Sequence, residues 1–484
     1  MEHKKYTNLN QQYIAGKWLA GRSTKTIKNI NPYTQEIICE FKAANSEDVD
    51  AAYQAASHSF NSWSVVSAAE RKNLVLKVIE IIQARREEII DWLVQESGST
   101  RLKANIEIEA TLNLAQEAAT FPNRIMSSKL KSQDPERRSW VYRQALGVIA
   151  VISPWNFPFH LSMRSVISAI AIGNTVVLKP ASDTPVTGGL LLAKILEEAG
   201  LPAGVLNVVA GSGSEIGDYF VEHAVPKLIS FTGSTAVGQQ VGKLAVGGQY
   251  LKRVALELGG NAPLVILDDA NLDLAVELTV MGRFMHQGQI CISTNRVIVD
   301  ASIYDAYVEK LIKRTQSIVV GDPNQADTLI GPIINATQVE KIKKIIEQGQ
   351  QDGAKLIVKN EIKGNLIPPH IFVEVDPNSS LCKDESFGPV LPVIKAQNEA
   401  HALELANDTD FGLSSAVCSA DYDRGLQFAL KIDAGMTHVN GITVADQANA
   451  PFGGEKNSGL GRFNGQWILE EFTRTHWITV PKDQ

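Results

Sequence analysis

The sequence predicts an α/β protein built on two parallel sheets, and three observations support this fold class. Short apolar runs alternate with helical segments from residue 146 onward, beginning with the run at 148–152. A second alternating series starts near residue 258 with the run at 264–267. The segment 46–96 shows helical periodicity instead. Because short apolar strands connected by helices are typical of buried parallel sheets, we expect doubly wound units after residue 146.

The segment 46–96 is predicted to be helical. Its start is marked by the polar residues Ser46, Glu47 and Asp48, which favour a helix N-terminus. Alanines between residues 51 and 56 form a small-residue face, and apolar positions between residues 74 and 93 recur with helical spacing.

The two sheets are predicted from the order of the apolar runs. In the first series we expect strands at 148–152, 175–178, 205–209 and 228–231, with helices at 188–199 and after residue 234. In the second series we expect strands at 264–267 and 297–299, with helices at 273–287 and 303–318. The second unit is predicted to begin near residue 258.

Composition excludes several classes of protein. The 484 residues are enough for about three domains. The 46 basic and 53 acidic residues give a net charge of -7 without a block of one sign, which argues against nucleic-acid binding. Apolar stretches stay shorter than a membrane span requires, and no apolar segment follows the charged start, so we expect neither a membrane protein nor a secretory signal. Four widely spaced cysteines fit a reducing compartment, and we expect a cytoplasmic enzyme.

Among the cysteines, Cys291 is the candidate nucleophile. Cys39 and Cys418 lie in apolar, strand-like sequence typical of buried cysteines. Cys382 precedes two acidic residues, which raise the pKa of a thiol. Cys291 follows a predicted helix in the segment 287–293, where amide side chains and a glycine allow the backbone to approach a ligand.

Two glycine-rich segments are candidates for binding a phosphate. In the segment 211–217 the third glycine comes one residue late for a dinucleotide fingerprint, so we interpret the segment as a strand-to-helix turn. At Gly233 and Ser234 an apolar strand ends and a helix begins. Backbone N–H groups at such a helix start can hold a phosphate.

Asn156 and Glu257 are candidate catalytic residues at strand ends. Asn156 follows the run at 148–152, where it either satisfies the backbone of a turn or donates its amide to an oxyanion. Glu257 ends an apolar strand between two leucines, where a carboxylate is costly to bury and is therefore either paired or tuned as a base. The nine histidines show no ligand spacing, so no metal site is predicted.

Seven motifs in a fixed order resemble the aldehyde dehydrogenase superfamily over nearly the whole chain. They are Pro154-Trp155-Asn156-Phe157-Pro158, Leu178-Lys179-Pro180-Ala181-Ser182, Phe231-Thr232-Gly233-Ser234, Glu257-Leu258-Gly259-Gly260, Gly288-Gln289-Ile290-Cys291, Glu385-Ser386-Phe387-Gly388-Pro389 and Pro451-Phe452-Gly453-Gly454. The segment 163–185 is most similar to the benzaldehyde/vanillin dehydrogenase-like branch.

This resemblance implies an aldehyde dehydrogenase-like α/β fold in three parts. They are a Rossmann-type coenzyme domain at 1–124 and 144–257, an α/β catalytic domain at 258–455, and a β oligomerisation arm and tail at 125–143 and 456–484. Trp140, Val141 and Tyr142 belong to the implied arm strand, and Trp477 to a tail that pairs across subunits. The implied partners are a small-molecule aldehyde and a second copy of the chain, in a homodimer or homotetramer.

The resemblance also implies the reaction. Cys291 attacks the aldehyde carbonyl, Asn156 and the backbone N–H of Cys291 hold the oxyanion, and hydride passes to a nicotinamide. Glu257 then activates water to hydrolyse the thioester, and its presence favours a free acid over transfer to coenzyme A. The implied coenzyme-binding residues are Trp155, Lys179, Ser182, Gly233, Ser234, Glu385 and Phe387. The implied substrate residues are Phe157, Arg164, Ile290, Ile292 and Phe452.

Two positions depart from the pattern of the family. Ser182 stands where many strictly NAD-using members have a glutamate, and a serine beside Lys179 tolerates the 2′-phosphate that a carboxylate repels. We therefore favour NADP, or use of both NADP and NAD. Phe463 replaces the glutamate that usually follows Gly461 and Arg462. The sequence suggests no functional reason for that change.

Alternatives remain open for the substrate and for activity. An apolar wall with two phenylalanines favours an aromatic aldehyde. Succinate semialdehyde dehydrogenases also have an arginine at the position of Arg164, where it grips a distal carboxylate. A catalytically silent member of the fold is the remote alternative, but it predicts loss of Cys291, Glu257 or Asn156, and all three are present.

Overall fold

The structure is a computed structural model that describes residues 5–482. Its strands are β1 (Gln12–Ile14), β2 (Lys17–Leu19), β3 (Thr26–Ile30), β4 (Ile37–Lys42), β5 (Ser128–Leu130), β6 (Arg137–Ala145), β7 (Val148–Ile152), β8 (Thr175–Lys179), β9 (Leu206–Val208), β10 (Leu228–Thr232), β11 (Arg253–Glu257), β12 (Ala262–Ile266), β13 (Thr294–Asp300), β14 (Lys355–Val358), β15 (His370–Val373), β16 (Val390–Ala396), β17 (Phe411–Gly412), β18 (Ser414–Cys418), β19 (Met436–Val439), β20 (Glu455–Lys456), β21 (Gly459–Leu460) and β22 (Thr473–Pro481).

The α-helices lie between these strands and cover the sheets. They are α1 (Ser46–Trp63), α2 (Ala68–Ala84), α3 (Arg86–Ser97), α4 (Arg101–Ala118), α5 (Phe121–Arg124), α6 (Pro158–Ile172), α7 (Leu191–Ala199), α8 (Asp218–Glu222), α9 (Thr235–Gly247), α10 (Leu272–Phe284), α11 (Tyr304–Thr315), α12 (Ala336–Gln351), α13 (Ser380–Lys383), α14 (Glu399–Asn407), α15 (Tyr422–Ala429) and α16 (Gly465–Glu471). Helical turns of π or 3₁₀ geometry lie at Val186–Leu190, Gly213–Gly217 and Met285–Gly288.

The first sheet contains the strands that the sequence predicts between residues 146 and 257. Its order is β2-β1-β9-β8-β7-β10-β11-β21, with β7 to β11 parallel and antiparallel strands at both edges. Strands β8 and β9 lie on one side of β7, and β10 and β11 lie on the other, so the strand order reverses between β7 and β10. Open parallel sheets bind ligands at such a reversal, beyond the carboxyl ends of the strands.

The second sheet has the order β14-β15-β16-β13-β12-β18-β19 and is parallel except for β14. Along β13, Ile298 belongs to one buried apolar cluster, whereas Val297 and Val299 belong to another. Both faces of this sheet are therefore covered, as expected for a doubly wound unit. The predicted α/β class with parallel sheets is confirmed.

Three predicted helices have different bounds in the structure. The segment 46–96 forms α1, α2 and α3. The first break ends at Ser67, which starts α2 with a capping box, and the second lies at Arg85, whose backbone is not helical. The helix predicted to reach residue 287 ends at Phe284, since His286 and Gln287 have left-handed φ values of 50° and 59°. The helix predicted to reach residue 318 ends at Thr315.

A separate three-stranded sheet has the order β22-β6-β5. Strand β6 contains the predicted arm residues Trp140, Val141 and Tyr142, and β22 pairs with it along nine residues, from Thr473 opposite Ala145 to Pro481 opposite Arg137. The predicted tail at 456–484 also contains β21, which does not join this small sheet. Strand β21 pairs with β11 at the edge of the first sheet. Within residues 5–482, no helix has both the length and the apolar character needed to cross a membrane.

Candidate active site

A cleft of about 240 Å³ lies between the two large sheets. Its walls come from segments that follow β7, β10 and β11 in the first sheet and segments that precede β13 and β16 in the second. The lining residues are Pro154, Trp155, Asn156, Leu161, Thr232, Gly233, Ser234, Leu258, Gly259, Cys291, Gln338, Lys341, Ile345, Glu385, Ser386 and Phe387. The crevice expected at the strand-order reversal thus faces α12 and the loops that precede β13 and β16.

Cys291 lies in a tight loop between the helical turn Met285–Gly288 and β13. The backbone carbonyl of Cys291 would be only 2.2 Å from a Cβ atom at Gly260, so only glycine permits this approach to the start of β12. The N–H of Ser293 donates to the carbonyl of Ile290 at 2.9 Å, and the Ser293 hydroxyl donates to the carbonyl of Gly282 at 2.8 Å. These contacts fix the half-buried Cys291 side chain at the cleft.

The pKa of the candidate nucleophile Cys291 is raised in this structure. Burial, together with the nearby carboxyl groups of Glu385 and Glu257, raises the pKa of the thiol to about 12, although Arg164 lowers it. Burial also raises the pKa values of Cys39 and Cys382 to about 11 and that of Cys418 to about 12. Cys291 is therefore distinguished from the other cysteines by its position at the cleft and not by its acidity.

Asn156 lies directly beyond β7 and its side chain is buried. Its Nδ2 donates to the carbonyl of Gln289 at 2.9 Å, in the loop that carries Cys291. Because an amide nitrogen has two hydrogens, one remains for a second acceptor. The amide therefore links the end of β7 to the Cys291 loop and can still donate to an oxygen in the cleft.

Glu257 ends β11 and is 1% exposed. Burial raises the pKa of its carboxyl group to about 8, against the opposing effect of Arg164 and Arg462. Both carboxyl oxygens lack a hydrogen-bond partner within residues 5–482. A buried carboxyl with a pKa near neutrality and unused oxygens has the properties of a general base.

Most of the predicted coenzyme residues meet in the cleft. Trp155 and Phe387 form a T-shaped pair with ring centroids 5.4 Å apart. Glu385 accepts a hydrogen bond from the N–H of Gly260 at 3.1 Å, and burial raises the pKa of its carboxyl group to about 7. Gly233 and the exposed Ser234 precede α9, where the Ser234 side chain makes no capping hydrogen bond.

Lys179 and Ser182 lie beyond the residues that line this cleft. Lys179 is the last residue of β8, and burial lowers the pKa of its ammonium group to about 8. Its Nζ lies 3.5 Å from the carbonyl of Pro180, and the Ser182 hydroxyl lies 3.5 Å from the carbonyl of Gly211. Among the residues that the structure describes, these long contacts are the hydrogen bonds that the two polar groups make.

Four of the five predicted substrate residues lie in or against the apolar cluster that Cys291 contacts. Ile290, Ile292 and Phe452 are buried in one apolar cluster, against which Phe157 and Cys291 pack. Arg164 is fully buried beside this cluster.

Two aromatic rings enclose the Arg164 guanidinium. Its central carbon lies 4.6 Å from the ring centroid of Phe452 and 4.6 Å from that of Phe463. None of its three guanidinium nitrogens has a hydrogen-bond partner within residues 5–482. The charge is therefore held by ring contacts on both sides.

Comparison with known proteins identifies the family. The model of the aldehyde dehydrogenase family matches residues 18–478. A vanillin dehydrogenase from Corynebacterium glutamicum is 53% identical to this chain over 469 residues, which cover 97% of both proteins. The chain belongs to the aldehyde dehydrogenase family. This membership confirms the predicted family, fold and enzyme class.

Two further aldehyde dehydrogenases are similar over almost their whole length. A benzaldehyde dehydrogenase from Bacillus subtilis is 47% identical, over 99% of this chain and 98% of the relative. The crystal structure of an NAD-dependent benzaldehyde dehydrogenase from Corynebacterium glutamicum has a TM-score of 0.91 and 50% identity, and the match covers 98% of this chain and 97% of that one.

The structure gives Phe463 a contact that the sequence did not suggest. In this aldehyde dehydrogenase Phe463 replaces a glutamate of the family pattern and supplies one of the two rings around Arg164. The phenylalanine leaves the charge of Arg164 to act on Glu257, Asp446 and Cys291, whose pKa values it lowers.

Sequence reasoning missed several residues around the site of this aldehyde dehydrogenase. Gln338 and Lys341 reach the coenzyme-side cleft from α12, which contains no motif. A second cavity of about 250 Å³ is lined partly by His160 and Asp446, whose Nε2 and Oδ2 atoms are 3.1 Å apart. These residues are far apart in the chain, so spacing gave no signal for them.

A buried ion pair between Lys103 and Glu107 was also missed. Here a signal existed, since a lysine and a glutamate four residues apart lie on one face of a helix. Within residues 5–482, no group of three or more histidine, cysteine, aspartate or glutamate side chains is arranged to hold a metal ion.

Proposed function

We propose that this aldehyde dehydrogenase oxidises an aromatic aldehyde to the free carboxylic acid with a nicotinamide coenzyme. The observation that supports this most is the position of Cys291, which lines the cleft and also packs against the apolar cluster of Ile290, Ile292 and Phe452. Such a wall suits a flat, apolar substrate. The similar vanillin and benzaldehyde dehydrogenases add support.

In the proposed first step, the Cys291 thiol gives its proton to water, and the sulfur bonds to the aldehyde carbon. The carbonyl oxygen becomes an oxyanion, to which Asn156 donates its remaining amide hydrogen and Cys291 its backbone N–H. Removal of one such donor typically lowers kcat by about 10²–10³-fold. A bound nicotinamide would supply the acceptor for hydride from the same carbon, which would leave Cys291 as a thioester.

In the proposed second step, Glu257 removes a proton from water. The water oxygen bonds to the thioester carbon, the carbon–sulfur bond breaks, and the acid leaves while the sulfur regains a proton. Because the pKa of Glu257 is about 8, an appreciable fraction is ionised near neutral pH and can act as the base. Its presence supports hydrolysis over transfer to coenzyme A.

The residues around the cleft fit a dinucleotide. We infer that the start of α9, with Gly233 and Ser234, binds the phosphates, because N–H groups at a helix N-terminus attract anions. Glu385 would accept hydrogen bonds from ribose hydroxyls, and Phe387 and Trp155 would contact the ring. Lys179 would reach the adenosine ribose from the end of β8.

We further propose that the enzyme uses NADP as well as NAD. Ser182 is half-buried beside Lys179 and contributes no negative charge that would repel a 2′-phosphate. The benzaldehyde dehydrogenase of similar structure is described as NAD-dependent, which favours retention of NAD. Use of both coenzymes accommodates both observations.

The test is a matrix of initial rates of coenzyme reduction. Benzaldehyde, vanillin and succinate semialdehyde are each assayed with NAD and with NADP, with the Cys291→Ala variant as the inactive control. We expect a much larger kcat/KM for the aromatic aldehydes. Preference for the semialdehyde would overturn the substrate proposal and assign the unpartnered nitrogens of Arg164 to a distal carboxylate.

We also propose that the enzyme acts in the cytoplasm as a homodimer or homotetramer. All four cysteines are free, which suits a reducing compartment. The three-stranded arm exposes Trp477 at 67% and Leu130 at 47%, and exposed apolar side chains of this kind mark interaction surfaces. Light scattering would compare the mass of wild type with that of Trp477→Ser, which we expect to form smaller oligomers. The same mass for the two proteins would contradict the role of the arm in assembly.

A further inference from the structure

A buried ion pair on α4 contacts the segment that carries Asn156. Lys103 and Glu107 lie one turn apart on this helix, and both side chains are 0% exposed. Removing two charges from water is costly, and a buried pair is tolerated only when further hydrogen bonds satisfy it. The partners of this pair are therefore informative, and they lie at the site proposed for the oxyanion.

Lys103 holds the backbone of Asn156. Its Nζ donates to the carbonyl of Asn156 at 2.7 Å and to the hydroxyl of Ser99 at 3.0 Å, and it pairs with Glu107. Three acceptors use all three hydrogens of the ammonium group. The same Nζ lies 4.1 Å from the ring centroid of Phe157. Lys103 therefore contacts both residues of the peptide bond between Asn156 and Phe157.

Glu107 holds the helix that follows Asn156. Its Oε1 accepts from the N–H of Phe159 at 2.9 Å and from the N–H of His160 at 3.1 Å, at the start of α6. Helix starts leave such N–H groups unpaired, and the N-cap residue Phe157 supplies no side-chain acceptor. Glu107 thus replaces the missing cap from another helix, and its negative charge suits the positive end of α6.

We propose that Lys103 and Glu107 are positioning residues that hold Asn156 where its amide can donate to the oxyanion. Lys103 fixes the carbonyl of Asn156, and Glu107 fixes the helix three residues later, so the segment between β7 and α6 is held at both ends. This inference rests on the proposed function, because the oxyanion role of Asn156 belongs to it. Displacement of a catalytic group by 1 Å can cost about 10²-fold in rate.

A double-mutant cycle tests this inference. The variants are Lys103→Met, Asn156→Ala and their combination, and the measurement is the single-turnover rate constant of NAD reduction with benzaldehyde. We expect Lys103→Met to lower this rate constant by about tenfold or more, and to have little further effect once Asn156 is alanine, since groups that act as a unit are not additive. Equal losses in both backgrounds would overturn the proposal.

The matched control is Glu88→Gln, which breaks the nearly buried pair between Arg85 and Glu88 away from the site. We expect this variant to keep the wild-type rate constant, so that a general loss of packing is excluded as the cause. If Lys103→Met does not fold, Lys103→Gln with Glu107→Gln removes both charges and leaves amides at both positions. A lowered rate constant with wild-type NAD affinity then supports the inference, and a wild-type rate constant overturns it.

Failure of this inference differs from failure of the proposed function. A wild-type enzyme that does not reduce NAD with any of the aldehydes tested would overturn the function itself. If Asn156→Ala keeps the wild-type rate constant, the oxyanion role and the positioning role both fall, while aldehyde oxidation stands. Additive losses with an active wild type overturn the positioning role alone.

Discussion

The guanidinium of Arg164 lowers the pKa of the Glu257 carboxyl group, yet neither side chain forms a hydrogen bond with any residue between 5 and 482. Arg164 is fixed instead by the rings of Phe452 and Phe463, each 4.6 Å away. Burial outweighs the attraction between the two charges, and the pKa of Glu257 remains at about 8. Without the positive charge of Arg164, burial would raise the pKa of Glu257 still further.

The first prediction concerns the pH dependence of thioester hydrolysis. Because only the carboxylate form of Glu257 can take a proton, the hydrolysis rate should rise with pH, with a midpoint at about pH 8. The Arg164→Met variant removes the cation that favours the carboxylate, so the midpoint of this rise should move to higher pH. The measurement is the rate constant of the slow phase after a burst, across a pH series.

Arg101→Met is the control for this shift, since Arg101 pairs with Glu87 and Asp91 at the surface. Its midpoint should match that of wild type. A midpoint that stays in place or moves to lower pH in Arg164→Met would contradict the assigned effect of the guanidinium on Glu257.

The second prediction concerns the Glu257→Gln variant. Acylation of Cys291 and hydride transfer should continue, whereas hydrolysis should slow because the amide cannot act as a base. The expected trace is a burst of reduced coenzyme equal to the enzyme concentration, followed by a slow steady rate that no longer rises between pH 7 and pH 9. Stopped-flow absorbance measures it, and a steady rate like that of wild type would refute the assignment.

The third prediction concerns alkylation of the free enzyme by iodoacetamide. Since the pKa of the Cys291 thiol is raised to about 12, its alkylation without coenzyme should be slow at neutral pH and should accelerate throughout the range up to pH 10. Activity should fall in step with modification of Cys291, as followed by mass spectrometry of peptides. The Cys39→Ala variant should lose activity at the same rate. Rapid alkylation that is complete and pH-independent near neutrality would show that the thiol is already ionised.

Much of this structure was predictable from the sequence because parallel strands have a simple apolar signature. The runs that became β7, β8, β10 and β12 were found within a residue or two. Helix ends were less predictable. Left-handed His286 and Gln287 end α10, and no propensity rule places two such residues there in succession.

Residues whose function depends on long-range contacts were less predictable than those in motifs. Cys291, Asn156 and Glu257 were found because each lies in a short conspicuous segment. The pKa values of Cys291 and Glu257 could not be predicted in the same way, because they depend on burial by elements that are distant in the sequence. The role of Phe463 likewise became visible only when the fold brought its ring against Arg164.

The last prediction tests the choice of coenzyme at the end of β8. Ser182→Glu introduces a carboxylate close to Lys179, at the position where the resemblance implies a glutamate in many strictly NAD-using members. The added charge should repel a 2′-phosphate and bind ribose hydroxyls, so the ratio of kcat/KM for NADP to that for NAD should fall by about tenfold or more, equivalent to about 1.4 kcal/mol or more. Ser182→Gln is the matched control, because it has nearly the same size without the charge. If both variants change the ratio equally, steric fit and not charge decides the coenzyme. If neither changes it, the 2′-phosphate lies away from Ser182 and the proposed use of NADP loses its structural support.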